Sequence, residues 1–97
     1  MAYKLEIRPL ARTEIWEAYD WYELQRKGLG EEFLNELESF YTRLQHNPSS
    51  YGFYDKPVRQ GKIDRFPYVV VFEIVEETIV VYSVFMTRQN PRKKRLG

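Results

Sequence analysis

Two runs of β-branched and aromatic residues, Tyr68 to Val75 and Thr78 to Thr87, are separated only by Glu76 and Glu77. Both have strand length and strand composition, and so short a link joins antiparallel strands only. A third segment, Val58 to Asp64, precedes them, and Pro67, which cannot donate to a ladder, marks the break between. The stretch therefore reads as a three-stranded antiparallel meander, and everything else in the chain has to be placed against it.

A two-residue turn at Glu76 and Glu77 sets a register. Val75 faces Thr78, Ile74 faces Ile79, Phe72 faces Val81 and Val70 faces Ser83. Directly opposed residues share a face and successive residues alternate. One face then carries Tyr68, Val70, Phe72, Ile74, Ile79, Val81, Ser83 and Phe85, nearly all apolar, and is expected to lie under helices. The reverse face carries Val69, Val71, Glu73, Val75, Thr78, Val80, Tyr82, Val84 and Met86. This mixed surface needs a partner, so function is sought there. Glu-Glu is a poor two-residue turn, since such turns favour Asn-Gly or Asp-Gly, and a slip of one residue would exchange the faces.

Upstream, Tyr3, Leu5 and Ile7 alternate with Lys4, Glu6 and Arg8, the pattern of a short half-buried strand ended by Pro9. From Ala11 to about Arg26 the period turns helical, with Ile15, Ala18, Tyr19 and Tyr22 on one stripe. Trp16 and Trp21 widen its apolar arc, which points to cover on more than one side. Gly28 and Gly30 stop one helix and start the next. The second helix, Glu31 to about His46, carries Phe33, Leu37, Phe40, Tyr41 and Leu44 at helical spacing and ends at Asn47 and Pro48. Phe33 and Phe40 read as core and His46 as a helix C-terminal cap. Residues 48–57 read as a loop. The order β-α-α-β-β-β makes one α+β domain, residues 1–97: an N-terminal strand, an αα-hairpin, then the meander, with the helices packed on one face of a single small sheet.

Composition narrows the chemistry. Apolar residues make up 43% of the chain and aromatics 16%, enough for a core without crosslinks. The absence of cysteine excludes thiol chemistry and a Cys-based zinc site. Nothing resembles a membrane span or a signal peptide. A net charge of +1 hides a split. Eight acids lie between Glu14 and Glu38 against Arg26 and Lys27, whereas Lys56, Arg59, Lys62 and Arg65 crowd the sheet rim against Asp64. The tail, residues 88–97, holds Arg88, Arg92, Lys93, Lys94 and Arg95 and no acid. That asymmetry suits a nucleic acid or an acidic protein on one side, or a solvated tail.

In this order the words become specific. Ile7 to Ala11 precede an acidic helix with Trp16, Trp21 and Tyr22. Gly30 to Phe33 open the second helix and Asn47-Pro48 close it. Arg65 to Val70 lead into Phe72, and Val84 to Pro91 end the match. Over nearly the whole chain this resembles the RelE/ParE superfamily of toxins from type II toxin–antitoxin systems, most closely the ParE-like plasmid stabilisation proteins. The resemblance implies a cytoplasmic toxin without cofactor or metal, neutralised by a cognate antitoxin. It also implies one of two targets: DNA gyrase for ParE-like members, or mRNA on the ribosome for RelE-like endoribonucleases.

Metal-free RNA cleavage needs a base, an acid and cations for the developing phosphate charge. Where RelE-like relatives carry an arginine after the Pro-Tyr turn this chain has Val69 or Val70, and where many carry a late histidine it has Met86. Arg65, Arg88 and Lys62 are the catalytic candidates if it cuts RNA. Arg59, Lys62, Arg65, Arg88 and Arg92 are the candidates for gripping a target or a phosphate. A competing reading pairs Arg65 with an acid such as Glu73 or Asp64. Cations without an acid–base pair bind better than they cut, which favours the gyrase-binding mode over the ribonuclease and over an inactive relative that only binds its partner. Glu73, Val80, Tyr82, Val84 and Met86 are the residues expected to face the antitoxin.

Overall fold

The computed structural model describes residues 2–87. The elements run β1 (Lys4–Ile7), α1 (Pro9–Gln25), α2 (Leu29–His46), β2 (Phe53–Asp55), β3 (Val58–Lys62), β4 (Tyr68–Val75) and β5 (Thr78–Met86), with a 3-10 turn at Pro48–Ser50 before β2. They form an α+β layer of two helices on one five-stranded sheet of order β1-β5-β4-β3-β2. The meander is present as β3, β4 and β5. The sheet is larger than the meander and mixed, because β1 pairs parallel to β5, Leu5 opposite Ile79 and Ile7 opposite Val81. β2 adds an antiparallel edge to β3 within the stretch expected to be a loop.

Both helices start two residues earlier than their periodicity suggests. Proline costs nothing at the first helical position, where its missing N–H has no partner to lose, so α1 begins at Pro9. Gly28 takes the left-handed conformation (φ 92°) between the helices. The N-terminus of α2 is capped from across the hairpin: the Glu23 carboxylate accepts from the N–H groups of Gly28, Gly30 and Glu31, the shortest at 2.9 Å. A carboxylate on otherwise unpartnered amides at the positive end of a helix contributes about 1 kcal/mol. Gly30 is buried where the helices cross; a Cβ there would stand 2.7 Å from the Tyr19 carbonyl oxygen.

The hairpin behaves as the register requires near its turn. Val75 pairs with Thr78, Ile74 with Ile79 and Phe72 with Val81. Glu76 absorbs the unfavourable turn by adopting a left-handed conformation (φ 57°). Beyond Val81 the register shifts: Val71 pairs with Ser83, Val70 with Val84 and Tyr68 with Met86, leaving Tyr82 as the extra residue of a β-bulge. The expected pairing of Val70 with Ser83 is therefore corrected, and the last four residues of β5, Ser83 to Met86, exchange faces. Val84, expected on the reverse face, is 1% exposed in the core, and Met86 packs against the same cluster. Ser83 and Phe85 move to the reverse side.

The core is a three-way contact. Ala11, Ile15, Ala18 and Tyr22 come from α1; Phe33, Leu37, Phe40 and Leu44 come from α2; Val70, Phe72, Ile79, Val81 and Val84 come from the sheet. Ile63, Phe66 and Tyr68 close one end, where Tyr22, Phe33, Phe66 and Tyr68 meet largely edge-to-face at ring separations of 4.9–6.1 Å. Burial pushes the Tyr68 hydroxyl up to about 12, with the neighbouring Tyr22 adding to the shift. Phe40 lies directly over the backbone of Gly61 in β3, where an added Cβ would stand 2.7 Å from the ring tip and 2.8 Å from Tyr51. Gly61→Ala is therefore expected to lower the unfolding free energy by about 1–3 kcal/mol through overpacking, read as a lower denaturant midpoint at unchanged slope. A neutral result would show that Phe40 does not sit on that strand.

Candidate functional site

The reverse face is built from three rows of paired residues. Glu6, Val80 and Glu73 lie side by side across β1, β5 and β4; Gln60, Val71 and Ser83 follow, then Lys62, Val69 and Phe85. The alternation of Lys4, Glu6 and Arg8 against Leu5 and Ile7 already put the polar side of β1 here. Tyr82, turned by the bulge, donates its hydroxyl to the Glu73 carboxylate at 2.7 Å. That bond, with the negative charge behind it, holds the Tyr82 pKa above its usual value. Arg8 pairs with Glu6 at 2.8 Å close by. Val80 is half-buried among these polar groups.

At the other end of the face a pocket of about 220 Å³ is lined by Tyr54, Gln60, Val69, Phe85 and Thr87. Tyr54 folds over from β2 to meet Phe85 at 6.4 Å between rings, and its buried hydroxyl has no hydrogen-bond partner among the described residues. Sequence reasoning missed this pocket for two reasons. Tyr54 lay in a stretch read as loop, and the bulge was needed to bring Phe85 to this side.

Among the described residues, the cations expected to grip a target, Arg59, Lys62 and Arg65, do not converge. Arg59 shares the helix-side face with Phe72; it donates to the carbonyls of Ser49 and Tyr51 and covers the Phe53 ring at 4.1 Å. Lys62 belongs to a reverse-face row, but its ammonium donates to the Ile63 and Phe66 carbonyls, both at 3.3 Å. Arg65, in a left-handed conformation (φ 71°), pairs with Glu32 at 2.7 Å and Glu36 at 3.3 Å on α2, not with Glu73 or Asp64. Asp64 instead meets Arg43 at 3.6 Å. Arg88 and Arg92 lie outside the described residues. Of the residues expected to face an antitoxin, Glu73, Val80 and Tyr82 are on the reverse face; Val84 and Met86 are not, because of the bulge. His46 donates to the Thr42 carbonyl from the last turn of α2, as a helix-end residue does.

The Arg65 pairing has a titration signature. The hydrogen bond from Arg65 holds the Glu32 carboxyl below the usual carboxylate range, with Arg26 assisting. Its folded pKa is depressed, so the stabilisation is present above the unfolded carboxylate pKa and is lost as pH falls through the depressed value. NMR titration of Glu32 is expected to give a midpoint below that of a free glutamate, rising towards it in Arg65→Ala. An unchanged midpoint would mean that Arg65 does not hold Glu32 in solution.

Comparison with known proteins agrees with this architecture. The ParE toxin of type II toxin–antitoxin system, parDE, matches as a family over residues 5–91. Among solved structures, a chain of the chromosomal ParDE toxin–antitoxin system from P. aeruginosa superposes with a TM-score of 0.76 at 17% identity, covering 88% of this chain and 96% of that one. The E. coli toxin RelE, a double arginine-to-alanine mutant in the free state, superposes with a TM-score of 0.63 at 17% identity, covering 94% and 90%. No curated protein matches. At these identities the superpositions speak for the fold, and the family match over most of the length speaks for descent: the chain belongs to the ParE toxin family of type II toxin–antitoxin systems.

Proposed function

We propose that this toxin acts in the cytoplasm by binding DNA gyrase through the reverse face of its sheet, and that a cognate antitoxin silences it by covering the same face. The observation that carries the reading is the engagement of the polar groups there. The Tyr82 hydroxyl is bonded to Glu73, Arg8 to Glu6, and the Lys62 ammonium to two backbone carbonyls. Cutting RNA requires a base and an acid poised for the 2′-hydroxyl and the leaving oxygen, with cations around the phosphate. Here the groups hold one another, and Arg59 and Arg65 are turned to the helix side. What the face offers is shape: a half-buried Val80 framed by satisfied charges, and a pocket between Tyr54 and Phe85. That combination suits docking. Glu73, Val80 and Tyr82 are the residues a target and an antitoxin would share. Among the described residues no helix is long and apolar enough to cross a membrane.

Supercoiling by purified gyrase is expected to be inhibited by the full-length chain and restored by its antitoxin. Val80→Lys, placed between Glu6 and Glu73 on the open face, is expected to weaken inhibition about tenfold or more without unfolding the protein. Undisturbed supercoiling, together with codon-positioned mRNA cleavage on ribosomes, would overturn the gyrase reading in favour of a RelE-like endoribonuclease.

A further inference from the structure

Helix α1 is buried along one stripe and strongly apolar along another that no described residue covers. Trp16 is 55% exposed, Trp21 52% and Leu24 84%. Neither indole is loose. Trp16 stands edge-on against Tyr19 at 5.3 Å, and Trp21 edge-on against the buried Tyr22 at 5.2 Å. At about 100° of rotation per residue, Glu17, Asp20 and Leu24 fall in the arc between the two indoles. Only some of the acids of the helical layer are engaged; Glu31 and Glu38 on α2 are in no ion pair among the described residues. Glu32 and Glu36 are paired with arginines, and Glu23 caps α2. Among the described residues neither Glu17 nor Asp20 takes part in an ion pair.

We propose that the outer face of α1 is a second docking surface, built for a cationic segment of a partner protein that carries apolar side chains between its charges. The two propped indoles supply flat apolar area and cation-attracting ring faces. The unpaired carboxylates between them select lysine or arginine and repel a phosphate backbone, so the occupant is protein and not nucleic acid. A second copy of the chain is the wrong partner, because pairing α1 with α1 about a two-fold axis sets Glu17 and Asp20 against their own kind. The surface lies on the helical layer, on the opposite side of the molecule from Glu73, Val80 and Tyr82, and stands whether or not gyrase is the target.

The chain's two tryptophans are both on this face, so its intrinsic fluorescence reports on it directly. The full-length protein is titrated with a tryptophan-free helical peptide of lysine and leucine, and separately with its glutamate–leucine counterpart. The cationic peptide is expected to give a saturable shift of emission to shorter wavelength that weakens with salt. The double variant Glu17→Lys/Asp20→Lys is expected to bind it about tenfold more weakly, whereas Glu31→Lys/Glu38→Lys, the same change of net charge on exposed positions of α2, leaves the affinity unchanged. The proposal is overturned by no saturable shift, by an equal response to the acidic peptide, by equal losses in both double variants, or by a shift that appears on concentrating the protein alone.

Discussion

One extra residue in β5 decides which side chains meet the helices. With uninterrupted alternation, Val81 and Val84 would point to opposite sides of the sheet, since they are three apart. The bulge at Tyr82 lets both enter the core, where Val81 pairs with Phe72 and Val84 with Val70. The same residue, excluded from the ladder, reaches across the reverse face to Glu73. A single insertion thus completes the hydrophobic layer and furnishes the polar face. The bulge begins where β1 has ended, and there Glu14 from α1 takes over. Its carboxylate accepts from the Val84 N–H and the Ser83 hydroxyl, both at 2.8 Å, so a strand edge without a neighbour still has its amide satisfied.

Charge in the helical layer divides by task. Glu14 closes a strand edge, Glu23 caps a helix, and Glu32 and Glu36 draw Arg65 over α2 and hold the link between β3 and β4 against the helix. Each makes a local bond that no count of acids could reveal. The pairs are exposed and individually weak; their effect is to fix where loops run. Arg65 is thereby held against α2, away from the reverse face of the sheet.

Much of the architecture was legible because it follows from period. The helical spacing of Phe33, Leu37, Phe40 and Leu44, the alternation of Tyr68 to Val75, and the two-residue link at Glu76 each fixed an element or a face. What stayed hidden depends on contacts between distant segments. The parallel pairing of β1 with β5 joins residues more than seventy apart in sequence, and no local pattern names the neighbour of a four-residue strand. The edge strand β2 is only three residues long and contains a register shift. The bulge left no composition signal, because Val84 and Phe85 are both apolar and either could have faced inward. For the site, the polar side of β1 and the Glu73 and Tyr82 positions were readable by alternation. The partners of Arg59, Lys62 and Arg65 were not, since long cationic side chains bond to whatever carbonyl or carboxylate the fold brings within reach.

The placement of the bulge is tested most directly by comparing the unfolding free energies of Val84→Asp and Phe85→Asp. With Val84 in the core beside Val70 and Phe85 on the reverse face, Val84→Asp buries an unpaired carboxylate and is expected to cost about 3–5 kcal/mol, while Phe85→Asp costs about 1–2 kcal/mol. The reverse ranking, with Phe85→Asp the damaging change, would return β5 to unbroken alternation and contradict both the core and the reverse face described for this toxin.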